Sequence, residues 1–185
     1  MDPAVGESLG EPGAAKGPRW VLLVYRIPPE PSRHRVAVWR KLKSLGALYL
    51  QDGVAALPED AVTREQMEWL QLRVREAGGE ATLWRARPGT LAEEVELVGS
   101  FRSAREEAYR SIIGGAERLR RKAEMGGGAP AEELGKLEKA FRAERRRDYF
   151  RSPLRKDAAD ALAAARRAVR GGGEDAADQR AGGSR

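Results

Sequence analysis

The sequence predicts an α+β fold: a β-α-β-β-α-β domain over residues 19–89, followed by a helical segment over 90–170. Three observations carry this. Asp52-Gly53 lies between the short apolar runs "ALYLQ" and "VAALP", the pattern of a two-residue hairpin. Two stretches of helical periodicity each stop at glycine, one at Gly46 and one at Gly78-Gly79. From Thr90 onward, strand-like runs give way to long helix-forming stretches with short glycine breaks.

The elements follow in order. Residues 1–18 are rich in Gly, Pro and Ala and predict a disordered tail. "RWVLLVYRI" (Arg19–Ile27) is an apolar run closed by Pro28-Pro29 and reads as a buried strand. Ser32 is the predicted cap of a helix that runs to Leu45. After the hairpin, Thr63 and Gln66 fit a capping box for a helix to Ala77. "EATLWRA" (Glu80–Ala86) is the last strand, which completes the ferredoxin-like order. Thr90 with Glu93 starts a short helix, and Ser100 to Met125 forms a long one strained at Gly114-Gly115. "GGGAP" breaks it. Ala131 to Tyr149 is the next helix, with Leu134, Leu137 and Phe141 on one face. Pro153 opens a third, striped by Leu154, Ala158, Ala161, Leu162, Ala165 and Val169. Residues 171–185 read as a flexible Gly-rich tail.

Composition narrows the function. The chain has 185 residues and a net charge of +6, which favours anionic partners such as nucleic acid. It has no cysteine, which excludes disulfides, thiolate metal sites, cysteine nucleophiles and thiol redox sensing. With His34 the only histidine, no metal site and no cofactor are expected. No signal pattern is present, and no apolar run approaches the ~20 residues of a membrane span. A cytoplasmic protein with no membrane partner is therefore expected. The charge is uneven: residues 1–100 hold 13 Lys+Arg against 14 Asp+Glu, whereas residues 101–156 hold 16 against 9.

Two basic sets stand out. The first is the predicted helix after Ser32, which carries Arg33, Arg35, Arg40, Lys41 and Lys43 and no acid. At 100° per residue, Val38, Leu42 and Leu45 share one face with Trp39 at its edge. Arg33, Arg40 and Lys41 cluster opposite, and Lys43 lies at the flank. Without an acid to pair along the helix, these four are candidate contacts for DNA phosphates. Arg35 falls on the apolar side, where it must snorkel, pair with a carboxylate or stack on a ring. A structural ion pair is the stronger expectation for it. His34 reads as a plain surface residue. The second set is "FRAERRRDYF" (Phe141–Phe150), supported by Arg118, Arg120, Arg121 and Lys122 on the preceding helix. Cations suit a helix C-terminus, but Arg145, Arg146 and Arg147 splay over 200° and cannot all serve that end. They extend the candidate DNA-binding set. Asp148 is expected to pair with an arginine, and Arg35 and Asp148 are candidates for structural or oxyanion contacts.

The spacing "WVLLVYRIP…RHRVAVWRKLKSLGALYLQDGVAALP" resembles the N-terminal domain of the chromate resistance protein ChrB family. The likeness continues through "AGGEATLW" and "FRSAREEAYRSII" to "RRDYF", which looks like that family's Arg-Asp-x-Phe motif, and covers roughly Trp20 to Val169. It implies a chromate-responsive transcriptional regulator that binds DNA, forms a homodimer and meets the chromate oxyanion. The first half also resembles the ferredoxin-like domain of the PaaX repressor family and of CRISPR-adaptation nucleases. Two departures bear on function. Full-length ChrB proteins carry a further C-terminal domain that this sequence lacks, so chromate sensing is expected to be absent or supplied by a separate chain. The nucleases hold metal with an acid at the end of the first strand, where this sequence reads Tyr25-Arg26-Ile27. No enzymatic activity is therefore expected. Without cysteine, chromate can only be bound reversibly, by arginines and backbone N–H groups. The alternative is a non-DNA interaction module that docks a separate sensor domain or a partner protein, for which the Ala-rich stripe of residues 154–169 suits close helix packing.

Overall fold

A computed structural model of the protein describes residues 17–125 and 131–182, with side chains described as far as Gly171. Most of the N-terminal tail and the "GGGAP" break lie outside the described residues. The elements are β1 (Trp20–Arg26), α1 (Arg33–Leu45), β2 (Leu48–Gln51), β3 (Val54–Pro58), α2 (Ala61–Glu76) and β4 (Glu80–Ala86). They are followed by α3 (Leu91–Glu124), α4 (Ala131–Arg147) and α5 (Leu154–Gly182). The strands form one sheet in the order β2-β3-β1-β4, every neighbouring pair antiparallel. The α+β class and the β-α-β-β-α-β order of the first six elements are those the sequence predicts.

The period of two in a strand explains the sheet's two faces. Val21 and Leu23 of β1 are buried in one core with Val38 and Leu42 of α1 and Met67, Leu70 and Val74 of α2. Leu22 and Val24 alternate with them onto the other face, and Leu22 sits opposite Ala56 of β3 and Trp84 of β4. Asp52-Gly53 makes the β2–β3 turn, with Gly53 at φ 74°, a conformation in which a side chain would be strained. A Cβ there would also lie 2.5 Å from the Tyr25 carbonyl oxygen.

Several local expectations are corrected. Ser32 does not cap α1: its backbone is already helical (φ −56°, ψ −23°), and its side chain makes no cap hydrogen bond. Capping needs an extended residue there, which Asp60 of α2 supplies (φ −137°, ψ −179°). The box at α2 is thus Asp60 with Thr63, not Thr63 with Gln66. Thr63 N–H donates to the Asp60 carboxylate (2.7 Å), and Asp60 N–H donates to Thr63 Oγ1 (2.9 Å). Thr90 and Glu93 do form the predicted box, but they open one continuous helix of 34 residues rather than a short one. At Gly115, within the glycine pair where strain was expected, the helix runs on and is closely approached: a Cβ would lie 2.7 Å from Leu137 Cδ2 of α4. Helix α4 ends at Arg147 rather than Tyr149, and α5 begins at Leu154 and is helical to Gly182, beyond the predicted boundary at 170.

Helix α3 belongs to both cores. Phe101 lies in the sheet core, whereas Tyr109, Ile112, Ala116 and Leu119 lie in a second core with Leu134, Ala158, Leu162 and Ala165. The stripe of α5 is therefore covered from within the chain. The segment between α4 and α5 closes the join. Phe150 packs 5.8 Å from the Trp20 ring and 5.7 Å from the Phe101 ring. The Tyr149 hydroxyl donates to the Leu45 carbonyl at the end of α1 (2.8 Å).

Burial pushes the Tyr149 hydroxyl up to about 12, with the charge of Asp60 adding to the rise. An acid whose folded pKa is raised stabilises the fold while it stays protonated. This contribution is fully present below the unfolded value near 10 and is lost as pH climbs from there toward 12. Urea midpoints measured across pH 9 to 11.5 should fall with rising pH, and the Tyr149→Phe variant should show a shallower fall. Equal slopes in the two proteins would contradict the burial of this hydroxyl.

Candidate nucleic-acid interface

With Val38 and Leu42 buried against the sheet, α1 turns Arg33 and Arg40 outward, where both are exposed and have no ion pair among the described residues. Lys43 is exposed, and its Nζ stands 4.9 Å from the centre of the Trp39 ring. Lys41 departs from the predicted cluster. It is half-buried and leans toward α2, with its Nζ 5.7 Å from the Trp69 ring, which Arg73 also covers at 4.9 Å. Arg35 is also corrected: it is exposed and pairs with no carboxylate or ring among the described residues. The helical wheel gives an angle but not a position along the axis. Arg35 lies in the first turn of α1, and burial begins only at Val38.

The arginine triplet divides. Arg145 and Arg146 are exposed, with no ion pair among the described residues. Arg147 turns inward: its side chain is 23% exposed, and Nη1 stands 3.2 Å from Glu144 Oε1. The other Glu144 oxygen takes Arg105 Nη1 at 2.9 Å, an ion pair whose two side chains are each 14% exposed. Arg147 also packs on Gly46, which sits at φ 74° where a Cβ would lie 2.9 Å from Arg147 Cβ. Arg147 is thus a structural residue. Among the described residues, Asp148 pairs with no arginine. It is buried, and its carboxylate accepts from the Tyr109 hydroxyl (3.2 Å) and the Ser152 N–H (2.8 Å). Burial first and the Asp148 charge second push the Tyr109 hydroxyl well above its ordinary range.

The sequence reading missed further cations. Arg151, Arg155 and Lys156, with Arg145, line a cavity of about 570 Å³ beside the start of α5, together with Phe141 and Ser152. Lys156 spends its charge on Asp160 at 2.7 Å, while Arg151 and Arg155 have no ion pair among the described residues. Pro153 marked the helix start in the sequence, but nothing local showed that Arg145 of the preceding helix returns beside it.

The structure brings the two predicted basic sets onto adjoining helices. Helix α1 meets α4 at the contact of Gly46 with Arg147, and Tyr149 just beyond α4 is hydrogen-bonded to Leu45. Arg147 on Gly46, Tyr149 on Leu45 and Phe150 on Trp20 account for the "RRDYF" segment: it locks the helical part onto the sheet domain. A family profile described as "Protein ChrB, N-terminal" matches residues 35–179, well over half of the chain and inclusive of this lock. The chain belongs to the ChrB N-terminal family. Membership relates it to chromate resistance. No curated protein and no solved structure matches it. Within the ChrB match, the Arg-Asp-x-Phe residues act in packing: Arg147 on Gly46 and Glu144, Asp148 under Tyr109, and Phe150 on Trp20 and Phe101. Among the described residues, no group of three or more His, Asp or Glu could hold a metal. No helix among them is long and apolar enough to cross a membrane.

Proposed function

We propose that this ChrB-family chain is a non-enzymatic, DNA-binding transcriptional regulator of chromate resistance that works in the cytoplasm as a homodimer. Phosphates meet its basic helices. One contrast carries the reading. Several cations elsewhere on the helices are matched by acids one helical turn away, as in Arg64–Glu68, Arg110–Glu106, Arg120–Glu124 and Lys136–Glu132, although Arg102, Arg118, Arg121, Lys122 and Lys139 have no ion pair among the described residues. On α1 and at the end of α4, Arg33, Arg40, Arg145 and Arg146 are left exposed without an ion pair among the described residues. Arginines left unmatched on two touching helices suit a phosphate backbone. The cavity at Arg145, Arg151 and Arg155 has the lining for a chromate dianion, held reversibly because the chain has no thiol to reduce it. The non-enzymatic part rests on the end of β1, where Arg26 stands in place of a carboxylate. The rival reading, a docking module built on the α5 stripe, loses its surface, since Ala158, Leu162 and Ala165 are buried within the chain.

The test is a mobility shift of a duplex from the protein's own upstream region over a range of salt, with and without chromate. The variant carries Arg33→Ala, Arg40→Ala, Arg145→Ala and Arg146→Ala. If each arginine neutralises one phosphate, the slope of log affinity against log salt should flatten by roughly 3–4 units, near 0.9 per phosphate. Backbone contacts carry little sequence information, so the loss should be similar for cognate and random duplexes. An unchanged slope in a variant with an intact melting temperature would overturn the proposed interface. Metal-dependent cleavage of DNA or RNA that stops on chelation would overturn the non-enzymatic assignment.

A further inference from the structure

Two of the exposed tryptophans lie on the helix layer, Trp39 on α1 at 48% exposure and Trp69 on α2 at 46%. Among the described residues, neither ring packs in the sheet core or in the second core. The face of an indole ring attracts cations, and both rings hold them. Lys43 Nζ lies 4.9 Å from the centre of the Trp39 ring. Arg73 and Lys41 lie 4.9 and 5.7 Å from the centre of the Trp69 ring. The two side chains match in exposure and in chemistry, and their surroundings separate them.

Residues four apart are surface neighbours on a helix, which puts Arg35 one turn before Trp39 and Lys43 one turn after it. Arg40 follows Trp39 directly. These three cations are exposed, none has an ion pair among the described residues, and α1 contains no acid. Trp69 stands in the opposite field. Glu65 is exposed one turn before it, and Arg73 one turn after it is paired with Glu76 (3.5 Å). An exposed ring among unpaired cations suits an unpaired nucleotide: the ring stacks the base, and the cations take the phosphates on either side. A duplex offers that ring no base face, because its bases are already stacked on one another. The acids beside Trp69 repel phosphate. We propose that Trp39 is a stacking site for an unpaired base, so that α1 binds single-stranded or locally opened DNA with Arg35, Arg40 and Lys43 on the flanking phosphates. This rests on the reading of α1 as a DNA-contacting helix and adds the strand state that the helix recognises. It also gives a partner to Arg35, which no carboxylate or ring among the described residues supplies.

The probes are a fluorescein-labelled oligothymidylate strand and a labelled duplex of the same length, titrated with the full chain by fluorescence anisotropy over a range of salt. Trp39→Leu should weaken the single strand about five- to thirtyfold and change the duplex by less than about twofold. The salt slope of both probes should stay as it was, since no charge is lost. Trp39→Tyr keeps a ring and should recover most of the lost affinity. Trp69→Leu, at an equally exposed ring, should change neither probe by more than about twofold. Three results would each overturn the stacking site: an unchanged single-strand affinity in Trp39→Leu, equal losses of single strand and duplex, or a Trp69→Leu loss equal to that of Trp39→Leu. If one of them came with a duplex salt slope that still flattens in the quadruple arginine variant, the stacking site alone would fall and phosphate binding by α1 would stand. A duplex slope left unchanged in the quadruple variant would overturn the reading of α1 and the stacking site with it.

Discussion

Phe101→Ala is expected to lower the unfolding free energy by about 3–5 kcal/mol, the range for removing a large ring from a packed core. Phe101 is 3% exposed, and three aromatic rings close around it. Trp20 lies at 5.4 Å, Phe150 at 5.7 Å and Tyr149 at 6.1 Å, the last edge-on. These rings come from β1 and from the link between α4 and α5, so the residue holds together segments far apart in the chain. Each aromatic pair adds about 0.5–1.5 kcal/mol beyond area burial, which places the loss toward the upper part of that range. Against a total stability of about 5–15 kcal/mol, the effect is large. Urea unfolding followed by fluorescence and by far-ultraviolet circular dichroism should show a lower midpoint with an unchanged slope. Phe101→Leu should recover a good part of it, since the branched side chain refills much of the volume. A change below about 1 kcal/mol in the alanine variant would contradict this packing, being no more than an average substitution costs.

What could be read in advance, and what could not, follows from the range of the interactions. The hairpin at Asp52-Gly53 and the stop at Gly46 are set by the backbone of one or two residues, and both appear where the sequence puts them. The Thr90–Glu93 box is equally local. The Ser32 and Gln66 assignments failed at this same scale, because Ser32 has helical dihedrals and Asp60 presents the nearer acceptor to Thr63. At long range, residue type was a poor guide. Three arginines in a row look alike in the sequence, yet Arg147 is set apart by Glu144 one turn back, by Gly46 across the α1 contact and by Arg105 on α3. Asp148 was expected to seek a cation and instead accepts from Tyr109, which lies 39 residues earlier. The cavity beside α5 gathers Arg145 with Arg151 and Arg155 through a turn whose path only the structure gives.

Glu144→Ala should also cost about 3–5 kcal/mol, for the opposite reason: it would strand charge rather than empty a space. Among the described residues, Glu144 is the one acid paired with both Arg105 (2.9 Å) and Arg147 (3.2 Å). At 14% exposure for Arg105 and 23% for Arg147, water screens neither guanidinium fully. Arg105 is already short of partners, since its Nε is buried without an acceptor among the described residues. Losing the carboxylate would leave two cations facing each other where α3, α4 and the end of α1 meet. An exposed pair sets the comparison. Glu132, paired with Lys136 at side-chain exposures of 77% and 74%, should tolerate replacement by Ala within about 0.5 kcal/mol. Combining Glu144→Ala with Arg105→Met removes a buried charge together with its partner and should restore more than half of the lost stability. The double variant distinguishes stranded charge from lost packing, because a packing defect would deepen with the second change. One other outcome would reverse the role given to Arg147. If Glu144→Ala left stability unchanged and tightened DNA binding, Arg147 would belong with Arg145 and Arg146 on the phosphate-facing surface, and the lock between the sheet domain and the helices would rest on Tyr149 and Phe150 alone.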